Sequence, residues 1–241
     1  MHPLKKTARV AGWLYLLVVL TGAFVLMYVP GKLFVLGDAP ATARNILAHQ
    51  ALFQAHIVVG LISELLFIAV VLVLYRLLKG VDGELAALMV LLILIDAPLA
   101  FLSVANEVGT LTFLREGGFL AAFGPPQRDT LATLMINLDI LGTPVSEIFW
   151  GLWLLPLGVL VYRSAFIPRF LGFWLCFNGV TYLVLSAVGL LAPAYGKLAL
   201  TIATPVLFGE VALMLWLLIV GARERPLAVV PRLQVESDPL T

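Results

Sequence analysis

Six apolar runs, each long enough to cross a lipid bilayer, dominate the sequence and restrict what it can fold into. A transmembrane helix needs about 20 apolar residues to cross the hydrocarbon core. The charged share is only 12%, about half of the roughly 25% found in soluble domains. The runs do not alternate as transmembrane β-strands do, so they predict an all-α, polytopic membrane helical bundle. The predicted spans cover residues 9–28, 52–78, 85–114, 132–163, 170–191 and 198–221.

The segments outside these runs suggest one domain with short ends. Residues 1–8 form a basic segment, residues 9–222 form a single transmembrane domain, and residues 223–241 are polar, rich in proline and predicted to be disordered. The basic start resembles that of a signal peptide, but the apolar run continues to Tyr28. Because that run is longer than a typical signal core, we predict that the first span is retained.

The connections carry clear turn and capping signals. Pro30 and Gly31 are predicted to end the first span. Asp38 is predicted to cap a short helix with Pro40 in its first turn. That helix runs either along the membrane surface or straight into the second span. Kinks or local breaks of the later spans are predicted at Pro98, Pro144 and Pro205.

The distribution of basic residues predicts the orientation of the bundle. With the N-terminus inside, ten Lys and Arg residues fall in the inner segments and five in the outer loops. Lys and Arg are enriched on the cytoplasmic side of membrane proteins. Since six spans place both ends on one side, the sequence predicts cytoplasmic termini in a plasma membrane.

Acidic residues inside the apolar runs are the main candidates for function. In the fourth run, Asp139, Ser146, Glu147 and Trp150 fall on one helical stripe. A carboxylate cannot face lipid cheaply, so this stripe should face a protein interior or a wet cavity. The depth of each acid follows from its distance to the helix end, at about 1.5 Å per residue. Several acids on different helices lie near the bilayer midplane, and the others lie nearer the outer face. The midplane residues are Glu64, Asp96, Glu147, Glu210 and Asn178, and the outer acids are Asp139 and Glu107.

No Lys or Arg lies within the central part of any span to pair with these acids. The carboxyls are therefore protonated, hydrated in a cavity, or bound to a cation or cationic ligand, since a dry unpaired charge is too costly. Each acid alone could also bond a neighbouring helix and serve only to hold the bundle together. Taken as a set, they predict a polar binding cavity. Its candidate residues, with the first two foremost, are Glu147, Glu210, Glu64, Asp96, Asp139 and Asn178.

The sequence gives little support for a metal site, a disulfide, a known catalytic motif or a nucleic-acid partner. His49 and His56 are two helical turns apart, roughly 10 Å, too far to hold one metal ion together. A single cysteine, Cys176, allows no internal disulfide and no cysteine cluster. Nucleotide-binding, zinc-protease and nucleophile-elbow motifs are absent, so we predict no metal, cofactor or catalytic residue. The net charge of +1 argues against nucleic acid as a partner. Four tryptophans either line an aromatic pocket or serve only for packing and lipid contact. They are Trp150, Trp153, Trp174 and Trp216.

Several segments resemble a bacterial family of six-span membrane proteins, the one catalogued as domain of unknown function 4386. The resemblance rests on ARVAGWLYLLVVLTGAF, VPGKLFVLGDAPATARNILAHQALFQ, VYRSAFIPRFLGFWL and GEVALMLWLLIVGA, in this order, and covers about residues 9–222. It implies a one-domain protein of the bacterial inner membrane. It implies no reaction, and no role is carried over to Gly209-Glu210 or to the Ser164–Arg169 turn.

Three functions fit the buried acids. The first is a proton-coupled carrier or binder of a small hydrophobic or cationic molecule. The second is an accessory subunit whose acids pair with a membrane partner or with another copy of the chain. The third is an intramembrane enzyme that uses a protonated carboxyl on a lipid or isoprenoid. The sequence favours a carrier or binder over an enzyme, with the lipid bilayer as a partner in every case.

Overall fold

The protein, described here by a computed structural model, is helical in every regular part of residues 3–35, 38–115 and 122–222, with no β-strand among them. Among these described residues, six helices are long and apolar enough to cross a membrane. They cover Leu4–Leu33, Gln50–Leu78, Gly83–Leu114, Pro125–Arg163, Arg169–Leu191 and Pro193–Ile219. The predicted all-α bundle of six spans is thereby confirmed. The predicted tail, residues 223–241, lies outside the described residues, as do residues 1–2 of the basic segment.

The elements follow one another with few intervening residues. The first span comprises α1 (Pro3–Ala23), a π-helical turn (Phe24–Tyr28) and α2 (Val29–Leu33). The short helix α3 (Ala39–Ala48) precedes α4 (Gln50–Leu78), α5 (Gly83–Leu114) and α6 (Pro125–Arg163). The last elements among the described residues are α7 (Arg169–Leu191), a 3₁₀ turn (Pro193–Tyr195) and α8 (Gly196–Ile219).

The six spans form a ring in which each helix packs on its neighbours in the chain. Helix α1 packs on α4, α4 on α5, α5 on α6, α6 on α7, α7 on α8, and α8 returns to α1. Gly12 permits the closing contact, because a Cβ at that position would lie 2.5 Å from the backbone nitrogen of Leu218. Side chains on the inner faces of all six helices can therefore meet.

Two clusters of buried apolar side chains lie at opposite ends of the bundle. The larger one, near the described chain ends, includes Ala8, Leu74, Met89, Leu157 and Leu213. The smaller one is built from the far ends of the first span, α3, α4, α5 and α6, and includes Val29, Leu33, Ile46, Phe53 and Leu111. Along α4, α5 and α6, the polar residues of interest lie between the residues of these two clusters, and Tyr15 of α1 belongs to the larger one.

The outward faces of the helices carry large apolar side chains. Trp13, Met27, Phe173, Leu191 and Ile202 are each at least 60% exposed in the isolated chain. A soluble monomer does not expose apolar surface on this scale. These faces are suited to contact with the hydrocarbon of a bilayer.

The predicted end of the first span at Pro30 is wrong. The chain stays helical through Pro30 and Gly31 to Leu33. Proline removes one helical N–H and its ring clashes with the carbonyl of the preceding turn. The π-helical turn immediately before Pro30, with Val29 N–H bonded to Phe24 O, widens the helix where that clash would occur.

The capping prediction for α3 is confirmed, but α3 does not run straight into the second span. The Asp38 carboxylate accepts a hydrogen bond from Ala41 N at 2.8 Å, and Pro40 lies in the first turn. His49, at φ −127° and ψ 43°, interrupts the helix before Gln50.

None of the internal prolines ends its helix, because α5, α6 and α8 continue through Pro98, Pro144 and Pro205. The kinks predicted at these prolines stay a prediction. At Pro144 the neighbouring helix α7 supports the irregular position. Ser186 Oγ donates to Pro144 O at 2.6 Å, and the absence of a Cβ at Gly189 leaves room for the proline ring.

Candidate functional site

Every spanning helix contributes a polar or aromatic side chain to one connected group inside the ring, here called the polar network. Its α6 member, Trp150, lies on the stripe predicted for the fourth run, because residues three or four apart on a helix share a face. The polar network consists of Tyr15 on α1, Glu64 on α4, Asp96 on α5, Trp150 on α6, Asn178 and Tyr182 on α7, and Glu210 on α8.

Glu210 is the most extensively held acid of the polar network. Tyr15 donates its hydroxyl hydrogen to Glu210 Oε2 at 2.5 Å. Tyr182 and Asn178 also lie within hydrogen-bonding reach of the Glu210 carboxyl. Asn178 is fully buried, and its amide donates to Leu207 O at 3.4 Å. Through these contacts Glu210 joins α1, α7 and α8.

Asp96 is the centre of the other half of the polar network. Trp150 donates its ring N–H to Asp96 Oδ2 at 2.9 Å, and Ser146 lies beside the same carboxyl. Asp96 is only 2% exposed, and its other oxygen, Oδ1, is buried without a hydrogen-bond partner. Glu64 lies close enough to Asp96 for their charges to interact, and its Oε1 is also buried without a partner. Glu64 and Asp96, on the packed helices α4 and α5, thus each carry an open acceptor atom.

An aromatic pair connects the two halves. The rings of Trp150 and Tyr182 pack edge to face, with centroids 5.9 Å apart and planes at 80°. Trp150 therefore contacts Asp96 on one side and the tyrosine beside Glu210 on the other. Glu147, one turn before Trp150, lies close enough to Tyr182 for electrostatic interaction, but it has no hydrogen bond among the described residues.

Asp139 belongs to a second group rather than to the polar network. This group, here called the His56 cluster, consists of His56, Ser103, Glu107 and Asp139. His56 Nε2 lies 2.8 Å from Glu107 Oε1, and these residues are 3% and 8% exposed. Ser103 lies within hydrogen-bonding reach of the Asp139 carboxyl, and that carboxyl lies near both His56 and Glu107. The Phe53 ring stacks on the imidazole at 5.9 Å and 14°.

The structure therefore brings most of the predicted site residues together. Glu64, Asp96, Asn178 and Glu210 belong to the polar network, Glu147 borders it, and Asp139 lies apart. Sequence reasoning missed Tyr15, which stands alone in an apolar run without a polar stripe around it. Tyr182 could have been found, because it follows Asn178 by four residues and shares its face.

The partnership of His56 with Glu107 was also missed. His56 shares a face of α4 with Glu64, which is the signal that could have placed it inside the bundle. Among the residues that the structure describes, no group of three or more His, Cys, Asp or Glu side chains could hold a metal ion.

The four tryptophans do not line a common pocket. Trp153 is 1% exposed and packs edge to face against Phe67 at 5.1 Å, inside the bundle. Trp174 donates to Val206 O at 2.9 Å, where Gly209 leaves space for its ring. An open apolar groove of about 360 Å³ between α7 and α8 includes Trp174 and Trp216, but neither Trp150 nor Trp153.

These features define a polytopic helical membrane protein with a buried, acid-rich polar network. A model of the family described as Domain of unknown function (DUF4386) matches residues 10–221, so the chain belongs to that family. The matched segment contains nearly all of the six spans, in agreement with the resemblance found in the sequence. Comparisons with curated proteins and with solved structures gave no match.

Proposed function

We propose that this protein is a proton-coupled carrier or binder of a small hydrophobic or cationic molecule. The observation that supports the proposal is the polar network, which draws a side chain from every spanning helix and includes three carboxyls. Lys and Arg are absent from the network. Ionisable groups inside membrane bundles commonly mark substrate or ion pathways and proton relays.

A purely structural role accounts less well for this arrangement. Side chains that only join helices would be expected to use their polar atoms, because a buried unsatisfied acceptor costs about 1–3 kcal/mol. Glu210 fits that role, but Glu64 Oε1 and Asp96 Oδ1 have no partner. Such open oxygens suit a bound proton, a cation or a cationic cargo.

The ring arrangement is compatible with alternating access. Each pair of neighbouring helices contributes to the same polar network, so a rocking motion between helices would change its hydrogen bonds. We place the protein in the bacterial plasma membrane with cytoplasmic termini, on the basis of the lysine and arginine distribution and the family resemblance. Transport would then connect the cytoplasm with the outer side of that membrane.

Transport can be tested with ethidium as a probe, because it is a small, largely apolar monovalent cation. Purified protein is reconstituted into vesicles that contain DNA, and ethidium uptake is followed by fluorescence under an imposed pH gradient. We expect gradient-dependent uptake that is lost in Glu64→Gln and in Asp96→Asn, because these two residues carry the open carboxyl oxygens. Glu84→Gln, an exposed acid in the first turn of α5, is the matched control.

Size-exclusion chromatography and circular dichroism must show that each variant remains folded. Wild-type uptake rates in both folded variants would contradict the proposal. The two alternative functions give different results in the same system. An intramembrane enzyme would convert a lipid without any gradient, and an accessory subunit would be unstable when purified alone.

A further inference from the structure

We infer that Glu64 and Asp96 form the binding site of one small monovalent cation, Na⁺ or H⁺. In the proton-coupled carrier proposed above a bound H⁺ would be the coupling ion, so that part of the inference rests on the proposed function. The binding itself can be tested without transport.

The first support is the pair of open oxygen atoms. Asp96 is only 2% exposed, and the Trp150 ring N–H donates a hydrogen bond to its Oδ2. Asp96 Oδ1 and Glu64 Oε1 are both buried and without a partner. Native proteins rarely leave buried polar atoms unsatisfied, and such exceptions call for an explanation such as an ion.

The second support is charge. Two neighbouring carboxylates that were both ionised and dry would repel each other and would each lose solvation. A single positive charge bound at these open oxygens would offset that repulsion. Oxygen atoms are also the ligands that hard cations prefer.

The size of the ligand follows from the packing around the pair. Ile93, one turn before Asp96, and Trp153, one turn after Trp150, are each 1% exposed. These filled positions suit an ion better than an organic cation. Two carboxyls without a third ligating acid or histidine favour a monovalent over a divalent ion, because the described residues contain no group of three such side chains that could hold a metal.

Glu210 has a different role in this assignment. Its carboxyl is already held by Tyr15 and lies within reach of Tyr182 and Asn178. The exchangeable ion should therefore occupy the Glu64–Asp96 half of the polar network. The other titratable groups that face the network are Tyr15 on α1, Glu147 on α6, Tyr182 on α7 and Glu210 on α8.

Trp150 provides a direct optical readout, because its ring N–H is bonded to Asp96. The full-length protein in detergent is titrated with NaCl against choline chloride at constant ionic strength, and separately by pH steps in choline chloride. We expect a change in tryptophan emission in the NaCl titration, in the pH titration, or in both. A response to NaCl identifies Na⁺, and a response to pH alone identifies H⁺.

The response should be lost in Asp96→Asn, in Glu64→Gln and in Trp150→Phe, and kept in Glu84→Gln and Glu210→Gln. No response of the wild type in either arm, or an unchanged response in Asp96→Asn and Glu64→Gln, would overturn the inference. If Asp96→Asn does not fold, Glu64→Gln decides, since Glu64 has no hydrogen bond among the described residues to lose.

The outcomes also separate this inference from the carrier proposal. A response that depends on Glu64 and Asp96, together with no gradient-driven ethidium uptake, would support the ion site and contradict the carrier. Gradient-driven uptake together with an unchanged response in both variants would support the carrier and contradict the ion site.

Discussion

The hydroxyl of Tyr15 on the first helix donates a 2.5 Å hydrogen bond to the carboxyl of Glu210 on the last, across 195 residues of sequence. Tyr15 is 2% exposed, so water cannot easily replace this bond. The contact closes the ring at its first and last members. It also supplies one of the donors around this carboxyl, beside Tyr182 and Asn178, which lie within hydrogen-bonding reach.

We expect Tyr15→Phe to lower the free energy of unfolding by about 1–3 kcal/mol, because the substitution removes the hydroxyl donor of a partly buried carboxyl. Thermal unfolding in detergent, followed by circular dichroism, measures the effect. Tyr195→Phe is the matched control, since Tyr195 is 64% exposed. Equal melting temperatures of the two variants would show that the bond does not stabilise the bundle.

The helices could be predicted from sequence, but most of their partnerships could not. Hydrophobic length and helical period are local properties, and they located all six spans and the stripe that carries Ser146, Glu147 and Trp150. The Tyr15–Glu210 bond depends on which helix closes the ring, which no local pattern reveals. Sequence reasoning accordingly ranked Glu147 with Glu210, although only Glu210 has hydrogen-bond partners in the structure.

Pro30 shows how tertiary context can override a local signal. A Pro-Gly pair ordinarily ends a helix, but here the widened turn at Phe24–Tyr28 allows the helix to continue. Val29 and Leu33 then pack with Ile46 and Phe53 of the elements that follow. Burial of these side chains favours the continued helix, and that gain is not visible in the local sequence.

The buried pair of His56 and Glu107 should show strong energetic coupling. Removal of one partner from a buried pair typically costs about 3–5 kcal/mol, because the other partner remains buried and unpaired. We expect His56→Ala and Glu107→Ala each to be strongly destabilising, and the double variant to lose less than the sum of the two. Unfolding of all four proteins of this double-mutant cycle gives the coupling energy.

His49→Ala is the control for this cycle, because His49 is exposed and its ring contacts only the carbonyl of Asn45 among the described residues. It should change stability little. Additive effects of the two single substitutions would mean that the 2.8 Å contact contributes no specific stabilisation.

Asp82 has two roles that substitution can separate. Its Oδ1 accepts from Leu85 N at 3.1 Å and caps α5, while its Oδ2 lies 3.2 Å from Arg163 Nη1 at the end of α6. Loss of an N-cap costs about 1 kcal/mol, whereas exposed ion pairs contribute about 0–1 kcal/mol. We expect Asp82→Asn and Arg163→Ala to be nearly neutral in thermal unfolding, and Asp82→Ala to be less stable than both. A melting temperature of Asp82→Asn as low as that of Asp82→Ala would assign the effect to the ion pair instead.

The closest approach of α6 and α7 depends on two glycine pairs, which provide the sharpest test of the packing. Gly151 lies opposite Gly179, and Gly158 lies opposite Gly172, so the pairs are seven residues apart on each of the two antiparallel helices. A Cβ at Gly151 would lie 2.6 Å from Gly179 O, and a Cβ at Gly158 would lie 2.7 Å from Gly172 O. Small residues allow membrane helices to pack backbone to backbone in this way.

We expect Gly151→Ala and Gly158→Ala to destabilise the protein by about 1–3 kcal/mol, the usual cost of overpacking. Gly142→Ala on the same helix is the control, since a Cβ there would meet nothing within 4 Å. It should be neutral or slightly stabilising, because alanine favours a helix over glycine by roughly 0.5–1 kcal/mol. Thermal unfolding in detergent compares the three variants.

The same glycine crossing bears on the polar network. Because Trp150 and Tyr182 lie one and three residues from this crossing, a separation of α6 from α7 should also pull apart the two halves of the polar network. If Gly151→Ala and Gly142→Ala unfold at the same temperature, the two helices are not held together at these glycines.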